Sequence, residues 1–229
     1  MRVEYIDLGI IDYRDAWQKQ GILMEKLQKE RSENKDGLNY LLFAEHPHVY
    51  TLGRNGNQAN MLMNTALPGE KNVEFIKVDR GGDITYHGPG QLVVYPIFCL
   101  NGFGTGIKEY VRRLEEIVIR TIAEYGLKGE RLDKAAGVWL DTGTPAVRKI
   151  CAIGVRCSRA VTMHGFALNV NTDLSYFSYI NPCGFVDKGV TSVEKETGKT
   201  VSFDEIKLFV LQYFKDIFAI EITDRLQGY

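Results

Sequence analysis

The chain has 229 residues, 45% of them hydrophobic and 25% charged, with a formal net charge of −1. That is enough chain to bury one substantial core, and the balanced charge argues against nucleic acid as a main partner, because phosphate binding calls for a basic surface. No apolar run reaches the ~18 residues of a membrane span, and the acidic residues among the apolar ones of positions 1–8 fit neither a signal peptide nor an arginine-rich transit peptide.

Taken in chain order, residues 13–30 place Trp17, Leu23, Met24 and Leu27 on one face at helical spacing and predict an amphipathic helix. Residues 39–45 and 73–79 read as strands, the second alternating imperfectly through Val73, Phe75, Ile76 and Val78. His46 and His48 flank a proline, but no third or fourth ligand suggests itself, so no metal site is expected. From Arg80 to Gln91, four glycines, a proline, an arginine and a histidine crowd twelve positions. Gly81 and Gly82 permit close approach of a ligand to the backbone, and Gly88-Pro89-Gly90 imposes a turn. Backbone amides there could hold a carboxylate or a thioester oxygen. The competing reading is a glycine-rich hairpin between two strands.

A strand follows at 92–97. The run Gly102 to Gly106 imitates a dinucleotide fingerprint, but its spacing is G-x-G-x-G and no acidic partner follows, so it reads as a loop; no P-loop is present. A second helix runs from about 107 to 125, with Ile107, Tyr110, Val111, Leu114, Ile117, Val118 and Ile122 as its apolar face. Short strands return at 137–140, 150–155 and 161–170. The last helix opens at Ser202 with Glu205 three residues on, a capping box, and buries Ile206, Phe209, Val210, Tyr213, Phe214 and Ile217. Repeats, low-complexity tracts and linkers are absent. The pattern predicts a single α+β domain over residues 1–229, with a mixed or antiparallel sheet and helices packed on it.

Four cysteines occur, at 99, 151, 157 and 183. Cys99 and Cys151 sit in segments that read as buried strands, and without a secretion signal all are expected as free thiols in a reducing cytoplasm. Cys183 differs, because Pro182 stiffens one side of it and Gly184 frees the other. A thiolate suits acyl transfer, and a nearby cation or proton acceptor raises its reactive fraction; the plain alternative is a small residue filling a turn. The candidate partners are His87, His164 and Lys149. His164 lies on an alternating strand, where it faces a cleft or pairs with a backbone carbonyl. Lys149 precedes the apolar stretch Ile150 to Val155, which draws its ammonium out of water, or it is an ordinary solvated lysine at a strand start. Spacing does not choose among the three.

At these residues the sequence resembles the lipoyl(octanoyl) transferases of lipoate biosynthesis. The resemblance rests on Arg80 to Gln91, Lys149 to Arg156, Thr162 to Val170 and Ile180 to Gly184, and it runs in order from about Glu45 through Ser192. It implies the fold of biotin and lipoate protein ligases, and an enzyme that moves an octanoyl group from acyl carrier protein to a lysine of lipoate-dependent enzymes. The acceptors it implies are the lipoyl domains of 2-oxoacid dehydrogenase complexes and the glycine-cleavage H protein. Carried over by motif, Cys183 is the acyl-thioester nucleophile and Lys149 its partner. Arg80, Gly81, Gly82, Asp83, Ile84, Thr85, Tyr86 and His87 line the acyl pocket, with Ala152, Ile153, Gly154 and Gly165, Phe166, Ala167 as its other walls. The resemblance implies no cofactor, no membrane and a cytoplasmic enzyme, and nothing demands more than a monomer. Cys151, Cys157 and His48 fall outside its pattern. The rival readings are an ATP-dependent lipoate or biotin ligase on the same fold, which needs no cysteine, a non-catalytic binder of lipoyl domains or acyl chains, and, more remotely, a cysteine protease.

Overall fold

The computed structural model describes residues 1–35, 37–62, 73–181 and 188–224. In chain order the elements are β1 (Arg2–Ile10), α1 (Tyr13–Ser32), β2 (Asn39–Glu45), β3 (Val49–Leu52), β4 (Glu74–Lys77), β5 (Ile84–His87), β6 (Gln91–Ile97), α2 (Ile107–Ala123), β7 (Glu130–Leu132), β8 (Ala135–Leu140), β9 (Arg148–Ser158), β10 (Val161–Asn169), β11 (Gly189–Val190), α3 (Val193–Thr197), α4 (Phe203–Phe218) and β12 (Glu221–Asp224). The larger sheet runs β12-β1-β2-β6-β10-β9-β8-β7, with β11 added against β9, and the smaller runs β4-β3-β5. The larger sheet is mixed: β1 is parallel to β12 and β2, whereas β2, β6, β10, β9 and β8 pair antiparallel.

Its central strands are apolar on both faces because both faces are covered. Successive side chains of a strand point to opposite sides, so β2 sends Leu41 and Phe43 one way and Tyr40, Leu42 and Ala44 the other. The first face packs under α2 and α4, which bring Leu114, Val118, Ile206 and Phe214 to a shared core. The second face takes α1 through Ala16, Met24 and Leu27. The start of α1 also meets the smaller sheet, where Tyr13 joins Val49, Ile76 and Val78. The smaller sheet therefore lies on the α1 side of the larger one, and a cavity forms where the two sheets face each other.

The three predicted helices, α1, α2 and α4, fall where the sequence places them, with boundaries shifted by up to two residues, and the five-residue α3 is an addition. Ile107 is the exception on the predicted apolar face of α2: at the first turn it lies 43% exposed. Ser202 caps α4 by accepting from the Glu205 amide at 3.3 Å, while the Glu205 carboxylate accepts from the Tyr125 hydroxyl at 3.1 Å. Gly102 to Gly106 is indeed connecting chain: Gly104 takes a left-handed φ of 58° after a 3-10 turn, and Gly106 caps α2. Beyond the predicted strands the structure adds β1, β3, β5, β7, β11 and β12. β1 hides its alternation because both sides are partly covered, Tyr5 by the first core and Ile6 and Leu8 by the second. β3 is four residues long and wholly buried, too short to show a period.

Candidate active site

The cavity floor is built from small residues facing each other across two strands. Ala152 of β9 pairs with Ala167 of β10, and Gly154 pairs with Gly165. Val93 and Tyr95 of β6 continue the floor, Ile84 and Thr85 of β5 close over it, and Tyr13 of α1 forms a side. The enclosed space is about 500 Å³ with the open mouth counted. Its walls combine apolar side chains with Arg80, Lys149, His87 and His164, an arrangement suited to a narrow apolar chain with a polar reacting end.

Gly165 is required by packing as well as by the floor. A Cβ there would lie 2.1 Å from the Val94 carbonyl oxygen and 2.7 Å from Pro96 Cδ. Gly165→Ala is expected to cost about 3 kcal/mol by overpacking, which in a domain of this size lowers Tm by roughly 6–12 °C. Gly21→Ala, in α1 with nothing within 4 Å of its Cβ, should instead stabilise by about 0.5–1 kcal/mol. Thermal denaturation of the two variants checks both signs.

A bulge aims Lys149. Gly137 faces Ala152 and Val138 faces Cys151, but the next pair is Trp139 with Lys149, so Ile150 is the extra residue on β9. Ile150 and Cys151 both enter the first core, which neighbours on a regular strand do not do. The shift turns Lys149 to the side of Ala152 and Gly154; without it, Lys149 would share the face of Cys151 and enter apolar core. Lys149 is 7% exposed, with Nζ 4.5 Å from the centroid of the Trp139 ring. Trp139 is itself fixed by donating Nε1–H to the Ala135 carbonyl at 3.0 Å.

A buried polar chain braces the other side. Arg80 donates through one terminal nitrogen to the Thr51 carbonyl (2.8 Å), the Thr51 hydroxyl (2.9 Å) and the Asp83 carbonyl (2.8 Å). The Thr51 hydroxyl reaches His87 Nε2 at 3.3 Å, and His87 Nδ1 donates to Gln91 Oε1 at 2.7 Å. Gln91 Nε2 donates to Asn169 Oδ1, whose amide donates to the Thr191 carbonyl, both at 2.9 Å. Thr191 N–H in turn donates to the Lys149 carbonyl at 2.9 Å. Of the base candidates, His87 thus has both nitrogens committed to this scaffold. Burial, then His46 and Arg80, hold its pKa well below the usual histidine range, so it stays neutral.

His164 faces the same cavity but belongs to another pair. Its Nε2 donates to Asp79 Oδ1 at 2.8 Å, and Asp79 is also salt-bridged to Arg156. Nδ1 is buried with no partner among the described residues. Burial lowers the His164 pKa, while the His164 hydrogen bond lowers that of Asp79, so the pair is a neutral imidazole on a carboxylate at neutral pH. His46 is likewise held neutral by burial, bonded to the Ile11 carbonyl at 2.7 Å and the Tyr95 hydroxyl at 2.6 Å.

These three histidines predict a pH dependence of stability. Their folded pKa values lie below the unfolded one, so the unfolded chain takes up protons that the folded chain refuses. Stability is then full above about pH 6.5 and falls as pH drops below it, by at most about 4 kcal/mol per pH unit if all three titrate together. Urea unfolding between pH 5 and 8 measures this; a flat profile would contradict it.

Of the residues singled out in the sequence, the cavity brings together Arg80, Gly82, Asp83, Ile84, Thr85, His87, Lys149, Ala152, Ile153, Gly154, Gly165, Phe166 and Ala167. Two are not on its lining, although the Gly81 carbonyl packs on the floor residue Gly154. Gly81 donates its amide to the Val155 carbonyl at 3.0 Å. Tyr86 points off the other side of β5, stacked on Tyr176 at 4.8 Å with its hydroxyl hydrogen-bonded to His48 Nδ1 at 2.7 Å. Strand alternation turns the Tyr86 ring to the face where it packs with Tyr50, Leu52 and Ile84, opposite Thr85 and His87. Cys183 lies outside the described residues. The segment that carries it is tied at its described ends, by Asn181 N–H to the Asn60 carbonyl at 2.8 Å and by Val190, which pairs with Lys149. Cys151 is buried and its thiol is pushed far up by burial; Cys157 is exposed, and Cys99 is buried. Tyr13, Val93 and Tyr95 were not singled out. β6 is buried at every position, so no alternation marks the last two, and nothing local marks Tyr13.

Comparison with known proteins gives a consistent result. A family model described as the lipoyl protein ligase A/B catalytic domain matches residues 12–215. An octanoyltransferase from Bacteroides thetaiotaomicron is 54% identical over 207 residues, covering 90% of this chain and 91% of its own. One from Christiangramia forsetii is 51% identical over 227 residues, covering 96% and 97%. Among solved structures, the bipartite lipoate protein ligase of Thermoplasma acidophilum matches with a TM-score of 0.68 at 17% identity, covering 98% of this chain and 86% of that one. Plasmodium falciparum LipL1 in complex with lipoate matches at 0.70 and 10% identity, covering 99% and 67%. At those identities the structural likeness bears on the fold alone, and it agrees with the α+β architecture expected from the sequence.

Proposed function

The chain belongs to the lipoyl protein ligase A/B catalytic-domain family, and from that premise we propose that it transfers an octanoyl group from acyl carrier protein to a lysine of lipoyl domains. The acceptors in this reading are the lipoyl domains of 2-oxoacid dehydrogenase complexes and the glycine-cleavage H protein. Residues 1–229 act as one catalytic domain, in the cytoplasm. The observation that carries the reading is Lys149, turned by the bulge at Ile150 into a cavity floored with glycine and alanine. The identity to octanoyltransferases gives the chain length of the group moved.

In the mechanism that follows, Lys149 takes the proton of Cys183 or holds it as a thiolate–ammonium pair. The thiolate attacks the thioester carbonyl of the carrier's pantetheine arm, backbone amides steady the oxyanion, and the carrier thiolate leaves with a proton. Cys183 then holds the octanoyl group while its alkyl chain lies in the cavity. The acceptor lysine loses a proton to Lys149, attacks the Cys183 thioester and releases the thiol. Thioester exchange is nearly balanced and thioester-to-amide transfer runs downhill, so the sequence of steps requires no nucleotide.

Lipoate ligases, one of them solved with ATP bound, share this fold, so nucleotide dependence is the discriminating test. Octanoyl-carrier protein and a lipoyl domain should yield octanoylated domain without ATP. A requirement for ATP and free octanoate would overturn the transferase reading.

A further inference from the structure

The cavity and a second groove share one wall. On the cavity side stands His164; behind it Asp79 and Arg156 line an open groove of about 760 Å³ whose apolar residues are Trp17, Met24 and Met163. His164 is 1% exposed and fixed three ways. Nε2 donates to Asp79, the backbone amide donates to Gln20 Oε1 of α1 at 2.9 Å, and the Trp17 ring lies 6.3 Å away between centroids. Its backbone has φ 60°, a left-handed conformation that costs energy in any residue carrying a Cβ and that persists only where the surroundings impose it.

The strand register sets where this wall stands. The Lys149 side chain reaches back along the sheet, its Cε 3.6 Å from where a Cβ of Gly137 would stand, and Gly137 pairs with Ala152; His164 pairs with Val155, three residues or about 10 Å further along β9, about the length of an extended eight-carbon chain. An acyl chain whose thioester lies at Lys149 therefore runs over Ala152 and Ala167, then over Gly154 and Gly165, and meets His164 with its methyl end. We infer that His164, positioned by Asp79, is the end stop that limits acyl-chain length, by keeping the cavity separate from the groove lined by Trp17, Met24 and Met163. The inference rests on the reading of this cavity as the acyl site. A longer chain meets an imidazole hydrogen-bonded to a carboxylate, with no room to pass. Once the ring is removed, extra methylenes reach Trp17, Met24 and Met163, the apolar part of a groove otherwise lined by polar residues such as Gln18, Gln28 and Arg156, where a methylene that is fully buried is worth at most ~4-fold in binding.

The test compares octanoyl-, decanoyl- and dodecanoyl-pantetheine as donors, reading the rate of acylation within each protein so that any loss of folded fraction cancels. His164→Gly suits the left-handed backbone and removes the ring; His164→Asn, which also tolerates that backbone, is the second variant should the first not fold. The dodecanoyl-to-octanoyl rate ratio should rise at least ~10-fold over wild type in His164→Gly, and His164→Gln, which keeps the bulk, should hold the wild-type ratio. An unchanged ratio in His164→Gly overturns the end stop while leaving the transferase reading intact. Should wild type take no octanoyl group at all, that reading fails instead, and the end stop is then decided by the ratio of dodecanoate to octanoate affinity measured by calorimetry.

Discussion

Cys183→Ala is expected to lose all detectable octanoyl transfer, a fall on the order of 10⁴-fold or more, because the covalent route has no second nucleophile. The other cysteines offer no substitute. Cys151 is walled into the apolar core with its thiol pushed far up by burial, and Cys157 lies at the outer end of β9, where Ser158 and Val161 are paired instead of any cavity residue. Cys157→Ser should accordingly keep full activity. Turnover is measured as octanoylated lipoyl domain by mass spectrometry, and retained activity in Cys183→Ala would defeat the assignment of the nucleophile.

Lys149→Met is the second large effect. It keeps the volume over Trp139 but removes the proton acceptor, so transfer should fall by about 10²–10⁴-fold while the circular dichroism spectrum is unchanged. Lys149→Arg should not restore activity, because a guanidinium does not give up its proton in a protein. Lys149→Met should also slow alkylation of Cys183 by iodoacetamide at neutral pH, since the thiolate loses its cation. Full turnover in Lys149→Met would remove Lys149 from the chemistry and leave it a structural residue.

How much of this could be read in advance differs from one residue to the next. The helices were legible because Leu114, Val118 and Ile122, or Ile206, Val210 and Phe214, repeat at the period that their packing requires. The floor residues were present in the sequence as small residues among apolar ones, but only the register places Gly154 opposite Gly165 and Ala152 opposite Ala167. The aim of Lys149 was not legible at all. Lys149-Ile150-Cys151 carries no glycine or proline to announce a bulge, and a regular strand through those residues would have turned the lysine into the core. Asp79 was passed over for a similar reason: its partners, His164 and Arg156, lie 85 and 77 positions away. Tyr86 shows the opposite error, since a motif read as a continuous stretch includes residues that strand alternation sends to the far side.

The most direct measurement is the intact mass of the wild-type protein after mixing with octanoyl-carrier protein in the absence of ATP. The account predicts one octanoyl adduct, released by hydroxylamine at neutral pH as a thioester is, mapping to Cys183 and discharged by a lipoyl domain. An unmodified protein that still forms octanoylated lipoyl domain, or an adduct on another residue, would contradict it.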